Sequence, residues 1–123
     1  CRQAYTMNTM NPNLTRILLA DDHPALRSAL ALLLETRLNA RIVGQSFSME
    51  DLLASLPVIH PSVVILDWEL PGSPKTGRIR ALHKIDPNLK VVITSSQPEV
   101  APQALAAQAD AFVCKCEPPE QIL

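Results

Sequence analysis

Residues 62–67 have the sequence SVVILD, and this stretch decides the fold class of the 123-residue chain. Its apolar residues are mostly β-branched, which is typical of a strand buried on both faces of a parallel sheet. The apolar stretch ends at the carboxylate of Asp67. Because ligands of open α/β sheets bind outside the carboxyl ends of the strands, Asp67 is the first candidate functional residue.

Apolar runs alternate along the chain with segments that have helical spacing. The runs lie near residues 16–20, 41–45, 62–66, 89–94 and 110–115. This alternation is the pattern of repeated strand and helix units. It predicts an α/β fold built on a five-stranded parallel sheet.

Caps and prolines indicate where the helices begin and end. Pro24 suits the first turn of the first helix, and Ser48 with Asp51 three residues later predicts the N-terminus of the second. The third helix is expected to end before Pro87, and Pro102 predicts a short fourth helix.

Length and charge limit the class of function. The chain fits one domain, which we assign to residues 14–123 after a polar tail of residues 1–13. Lys and Arg number 11 against 12 Asp and Glu, so the chain lacks the basic character of a nucleic-acid-binding domain. Its apolar stretches are well short of the roughly 20 residues that a membrane helix needs.

Cysteine usage and the end of the chain give two further expectations. Cys1, Cys114 and Cys116 do not make a disulfide framework, which favours reduced thiols and a cytoplasmic location. Residues 118–123 have the pattern of a fifth helix that is truncated soon after it starts. Apolar surface that a full helix covers is then exposed, so we expect self-association, such as a homodimer.

Polar residues follow the predicted strands and are expected to meet at one edge of the sheet. Asp21 and Asp22 follow the first strand, and a hydroxyl and Lys115 follow the fourth and fifth. Clustered carboxylates repel one another, and a hard divalent cation such as Mg²⁺ relieves that repulsion. Asp67 is then able to attack phosphorus and form an acyl phosphate, whose oxygens the lysine and hydroxyl bind.

Three pieces of the sequence resemble one family, the receiver domains of two-component response regulators. They are residues 17–24 (ILLADDHP), 64–72 (VILDWELPG) and 109–115 (ADAFVCK). The resemblance covers residues 15–123, and the first piece is most similar to regulators with a LuxR-type helix-turn-helix domain after the receiver. It implies a flavodoxin-like, doubly wound fold with helices on both faces and strand order 2-1-3-4-5.

By position, the resemblance implies a metal site. Asp67 matches the phosphoacceptor, which is also a metal ligand, and Asp22 matches a direct ligand of Mg²⁺. Asp21 matches an acid that acts through water, and Glu69 the residue whose backbone carbonyl binds the metal. His23 is interpreted as a turn residue rather than a ligand, because Mg²⁺ prefers oxygen.

The resemblance also implies a switch. Lys115 matches the lysine that pairs with the phosphoryl group, and Phe112 matches the aromatic switch residue. Counting forward from Pro87 makes Ser95 the switch hydroxyl, whereas counting back from Lys115 favours Thr94. We choose Ser95 and keep Thr94 as the alternative.

The implied function is signalling rather than turnover of an external substrate. A sensor histidine kinase is the expected partner and donates a phosphoryl group to Asp67, with Mg²⁺ as cofactor. Phosphorylation then switches the surface formed by the fourth helix, fifth strand and fifth helix. This surface controls an output domain, expected to bind DNA, that is absent from the chain; the chain itself is expected to contact neither nucleic acid nor membrane.

Two departures from the family pattern leave alternatives open. Lys75 stands where the family usually has Gly, eight residues after the phosphoacceptor, and the segment after the fourth strand is short. A receiver-like interaction module that is not phosphorylated is therefore the first alternative. The second is an aspartyl-phosphate hydrolase, although those enzymes resemble Asp-x-Asp where this chain has Glu69 in the second position.

Overall fold

The strands form one parallel sheet. The structure, a computed structural model, describes residues 15–23 and 40–115. The strands are β1 Thr15–Ala20, β2 Ala40–Ser46, β3 Val63–Asp67, β4 Lys90–Ser95 and β5 Ala111–Cys114. All pairs of neighbours are parallel, in the order β2-β1-β3-β4-β5. The predicted flavodoxin-like order is confirmed, and each strand ends within one residue of the apolar run that predicted it.

Helices connect the strands and end where the sequence predicts. The described helices are α1 Met49–Ile59, α2 Arg78–Ile85 and α3 Ala101–Ala106, with a 3-10 turn at Pro98–Val100 before α3. Ser48 caps α1, because its Oγ accepts a hydrogen bond from the Asp51 N–H at 3.1 Å. α2 ends before Pro87, and α3 is short, at 6 residues, with Pro102 in its first turn.

The sheet separates two apolar clusters. Alternate residues of a strand point to opposite faces, so Leu18 and Ala20 join the larger cluster while Ile17 and Leu19 join the smaller one. The larger cluster includes buried residues from all three described helices: Met49, Leu52, Leu56, Ile79, Leu82 and Ala104. This packing holds the strands in register and so fixes the positions of the residues at their carboxyl ends.

Several predictions concern residues outside the described part of the chain. These are the tail of residues 1–13, the first helix near Pro24, and the truncated fifth helix of residues 118–123. Within residues 15–23 and 40–115, the helices lack the length and apolar character that crossing a membrane requires.

The prediction of reduced thiols is wrong for Cys114, which forms a disulfide. Its partner cysteine lies outside the described residues. The sequence argument considered the number and spacing of the cysteines, whereas a disulfide requires only that two sulfur atoms come within bonding distance. Cysteine usage therefore does not support the cytoplasmic location.

Candidate functional site

Two aspartates at the carboxyl edge of the sheet are shielded from solvent. Asp67 is the last residue of β3 and is 0% exposed, and Asp21, which follows β1, is 1% exposed. Backbone hydrogen bonds to neighbouring strands hold both positions. The Asp21 N–H donates to the Ser46 carbonyl at 3.1 Å, and the Trp68 N–H donates to the Thr94 carbonyl at 2.8 Å.

Lys115 bridges the two buried carboxylates. It follows β5, and its backbone N–H donates to the Ser95 carbonyl at 2.7 Å. Its Nζ lies 2.7 Å from Asp21 Oδ2 and 3.1 Å from Asp67 Oδ2. The side chains at the ends of β1, β3 and β5 are therefore in contact through the Lys115 ammonium group. They lie at the edge of the sheet that the sequence predicts.

This contact shifts the pKa values of Lys115 and Asp21. Burial alone would raise the pKa of Asp21, but hydrogen bonds from Lys115 and His23 outweigh burial and hold the pKa below its usual value. Burial alone would lower the pKa of Lys115, but its bonds to Asp21 and Asp67 outweigh burial and raise the pKa. Both shifts favour the charged pair at neutral pH.

His23 makes contacts that its interpretation as a turn residue did not predict. Its Nδ1 lies 2.9 Å from Asp21 Oδ1, 3.2 Å from Asp22 Oδ1 and 3.8 Å from Asp67 Oδ2. The hydrogen bond to Asp21 raises the pKa of His23. Its side chain is 63% exposed, so the ring lies at the mouth of the acidic cluster.

Four residues of this edge are close enough to share one metal ion. Asp21, Asp22, His23 and Asp67 each offer a ligand atom, and these atoms lie within 4.8 Å of one another. Asp22 is exposed, which leaves room for water among the ligands. Carboxylates and water are the ligands that Mg²⁺ prefers, whereas imidazole suits transition metals. The three aspartates therefore fit Mg²⁺.

Glu69 contributes a backbone hydrogen bond to the Asp67 carboxylate. Its N–H donates to Asp67 Oδ1 at 3.0 Å, while its side chain is exposed. One oxygen of Asp67 therefore accepts from the following loop, and the other lies against Lys115. Contacts to both carboxylate oxygens therefore fix the orientation of the Asp67 side chain.

Both candidate hydroxyls are buried at the end of β4. Thr94 pairs with Asp67 across the sheet, and Ser95 pairs with Cys114. Ser95 Oγ accepts a hydrogen bond from the Gln97 N–H at 3.0 Å. Ser95 therefore contacts the loop after β4, and Thr94 lies beside Asp67 of β3.

Phe112 lies on the edge strand β5. It pairs with Ile93 and packs against the larger apolar cluster, yet its side chain is only partly buried. The ring is therefore in contact both with the larger apolar cluster and with solvent.

Two charged residues that the sequence analysis missed hold the loop between β3 and α2. Arg78 donates from Nε to the Pro74 carbonyl at 2.7 Å and from Nη2 to the Gly72 carbonyl at 2.9 Å. Glu50, in the first turn of α1, accepts from the Ser73 N–H at 3.0 Å, and this bond lowers the pKa of Glu50. Glu50 and Ser73 are 23 positions apart, so no local pattern reveals their contact.

Comparison with known proteins identifies the family. The model of the response regulator receiver domain matches residues 17–123. The chain is 37% identical over 109 residues to the transcriptional activator protein ExaE of Pseudomonas putida, covering 87% of this chain and 51% of that protein. It is 30% identical over 107 residues to the fimbriae Z protein of Escherichia coli, covering 83% and 50%. The chain thus spans about half the length of these relatives.

Solved structures of response regulators have the same fold. A LuxR-family DNA-binding response regulator from Staphylococcus aureus has a TM-score of 0.77 at 29% identity, over 89% of this chain and 92% of that one. A LuxR-family two-component response regulator from Aurantimonas has a TM-score of 0.80 at 25% identity, over 89% and 80%. The strand order, the acidic edge and the match over residues 17–123 agree, and the chain belongs to the response regulator receiver domains.

Proposed function

We propose that this chain is a phosphoaccepting receiver domain, which takes a phosphoryl group from a histidine kinase on Asp67. One observation carries the proposal: the Lys115 ammonium lies 3.1 Å from Asp67 Oδ2 and 2.7 Å from Asp21 Oδ2. A carboxylate that only capped a turn would need no lysine from another strand. Here a cation lies beside the group that attacks phosphorus, where negative charge develops in the transition state.

Asp67 is the nucleophile of the proposed reaction. One of its carboxylate oxygens forms a bond to phosphorus while the bond between phosphorus and the imidazole nitrogen of the donor breaks. The imidazole leaves with that electron pair and takes up a proton. Lys115 and the Glu69 N–H already contact the Asp67 carboxylate, so both are positioned to bind charge on the phosphoryl oxygens.

Mg²⁺ is the proposed cofactor. Asp22 and Asp67 would bind it directly, Asp21 through water, and Glu69 through its backbone carbonyl. The ion would neutralise the acidic cluster and bind phosphoryl oxygens. Asp21 has a second role, because its contact with Lys115 holds the ammonium beside Asp67.

The proposed output is a population shift between two conformations. The Ser95 hydroxyl, with Thr94 as the alternative, would bind the phosphoryl group, and Phe112 would move with it. Moving such an equilibrium from mostly off to mostly on needs about 5.5 kcal/mol of differential binding. Charge-assisted hydrogen bonds to a dianion are strong enough to supply it. The affected surface comprises α3, β5 and the predicted fifth helix.

The relatives support an output in transcription control. They include a transcriptional activator and a DNA-binding response regulator. We therefore propose that this receiver controls a DNA-binding domain outside the chain, through self-association or release of that domain. A sensor histidine kinase is the proposed partner, and the cytoplasm, where kinase and DNA are both accessible, is the proposed location.

Phosphorylation with a small donor tests the proposal. Incubation with acetyl phosphate and Mg²⁺ is expected to add the mass of one phosphoryl group, measured by mass spectrometry of the intact chain. Asp67→Asn should abolish the gain, whereas Asp86→Asn, the matched control far along the sequence, should keep it. Ser95→Ala and Thr94→Val then separate the two hydroxyls by their effect on the lifetime of the phosphorylated form.

The same experiment distinguishes the alternatives. A chain that gains no mass, although Mg²⁺ binding is demonstrated by calorimetry, is an interaction module that is not phosphorylated. Steady release of phosphate from small phosphoesters indicates an aspartyl-phosphate hydrolase. A mass gain that survives Asp67→Asn contradicts the assignment of the phosphoacceptor.

A further inference from the structure

A cavity of about 540 Å³ opens beside Trp68, the residue that follows the phosphoacceptor. Its walls come from the end of β3, the loop before α2, α2 itself and the turn after α3. Leu66 and Ile93 lie beneath it and are fully buried, so the accessible apolar surface includes Trp68, which is only partly buried. Volumes of roughly 300–1,000 Å³ and mostly apolar walls are typical of small-molecule sites. The cavity is separate from the proposed phosphoryl site, because its lining includes none of the four residues that could share a metal ion, Asp21, Asp22, His23 and Asp67.

The ionisable side chains that line the cavity are all basic. They are Lys75, Arg78, Arg80 and His83, and no aspartate or glutamate is among the lining residues of the described chain. The sequence as a whole carries a net charge of −1. The lining of this opening is therefore more basic than the chain as a whole, and an anion is the complementary ligand.

Two of these basic residues are already engaged. Arg78 donates to the Pro74 and Gly72 carbonyls of the loop. His83 Nε2 lies 2.9 Å from the Leu89 carbonyl, and since a carbonyl only accepts, this nitrogen carries a proton. These hydrogen bonds occupy donor groups of both residues, which therefore mainly form the wall of the cavity.

Lys75 and Arg80 are the remaining basic residues of the cavity, and the charge of Lys75 is among the causes that lower the pKa of Glu50. Both are exposed, and neither forms a hydrogen bond or ion pair with another residue in the part of the chain that the structure describes. Lys75 lies in the loop, at the position where the family usually has glycine, and Arg80 lies in α2. They line the cavity from two different elements.

We propose that this cavity binds an organic anion with an aromatic body. Lys75 and Arg80 bind the anionic group, and the ring lies against Trp68, where aromatic contacts add to burial. A small molecule is favoured over an acidic peptide, because the volume of about 540 Å³ falls in the range that is typical of small-molecule sites. Because Trp68 is next to Asp67, the ligand contacts the strand that carries the phosphoacceptor.

The naphthalene dye 8-anilinonaphthalene-1-sulfonate is a probe with this chemistry. Trp68 is the single tryptophan of the chain and lines the cavity, so energy transfer from Trp68 to the dye reports binding at this place. N-phenyl-1-naphthylamine has the same rings without the sulfonate and is the matched neutral probe. We expect saturable transfer to the sulfonate dye and weaker transfer to the neutral dye.

Charge-reversal variants identify the donors. Lys75→Glu combined with Arg80→Glu should weaken binding of the sulfonate dye by at least about tenfold, whereas Lys84→Glu, an exposed residue of α2 outside the cavity, should change it by less than about twofold. The neutral dye should bind all variants equally. Urea denaturation of each variant establishes that it is folded.

Three results would overturn the inference. The first is equal binding of the sulfonate dye to the wild type and the double variant. The second is equal weakening by Lys84→Glu, which shows a general charge effect. The third is displacement of the dye by a glutamate-rich peptide at lower concentrations than by naphthalene-1-sulfonate, which assigns the cavity to a protein partner.

Discussion

At the scale of the residue, the ammonium group of Lys115 stabilises the buried carboxylates at the edge of the sheet. Asp21 and Asp67 are buried, and two buried carboxylates in proximity stay ionised together only when a positive charge accompanies them. Lys115 supplies that charge at 2.7 Å and 3.1 Å. Its raised pKa and the lowered pKa of Asp21 have the same origin, since each group stabilises the charged form of the other.

Replacement of Lys115 by methionine tests this view. We expect Lys115→Met to lower the free energy of unfolding at neutral pH by roughly 3–5 kcal/mol, because it leaves buried carboxylates without a counterion. Urea denaturation followed by Trp68 fluorescence measures the change. Adding Asp67→Asn to this variant should restore part of the loss, because it removes one of the two charges. An unchanged urea midpoint in Lys115→Met would contradict the role of the lysine.

The residues of the site divide into those that sequence predicts and those that it does not. Asp21, Asp67 and Lys115 are predicted, because strand ends in a parallel sheet meet at one edge whatever the loops do. The contact between His23 and Asp21 depends on how the chain turns after β1, which a strand pattern does not specify. Asp-Asp-His after a strand is nevertheless a usable signal, since the third residue lies within reach of the first carboxylate.

At the scale of the element, the loop between β3 and α2 differs most from the family pattern. It carries Lys75 where glycine is usual, yet Arg78 and Glu50 bind its backbone from two helices. Strand and helix bounds follow from local periodicity and were predicted within one residue for the strands. The clamped loop was not predicted, because its contacts join residues far apart in sequence.

The Glu50 contact predicts a dependence of stability on pH. The bond from the Ser73 N–H holds the folded-state pKa of Glu50 below its ordinary value of 4.5. The stability it contributes is therefore fully present above the unfolded pKa and is lost as the pH falls through the folded pKa. Wild type should exceed Glu50→Gln in urea midpoint at neutral pH, and the difference should disappear in acid. A difference that grows toward low pH would contradict this sign.

At the scale of the whole molecule, the proposed metal binding is linked to folding. The acids that follow β1 and end β3 come together only in the folded sheet, so the proposed Mg²⁺ ion would bind the folded chain in preference to the unfolded one. We expect the melting temperature to be higher in Mg²⁺ than in a chelator. At a hundredfold excess of Mg²⁺ over its Kd, the free energy of unfolding should rise by about 2.7 kcal/mol. Asp22→Asn should remove most of this effect, and Asp86→Asn should leave it intact. Equal stabilisation of the Asp22→Asn chain by Mg²⁺ would argue against the site.

The bridge made by Lys115 also has a consequence for the newly synthesised chain. Asp21 and Asp67 are synthesised well before β5. Their contacts with Lys115 can form only after β5 has paired with β4. Under the proposed mechanism, a nascent chain that has completed its first four strands still lacks a competent acceptor. Under that mechanism, the order of the strands would keep unfinished chains from taking phosphoryl groups away from finished ones.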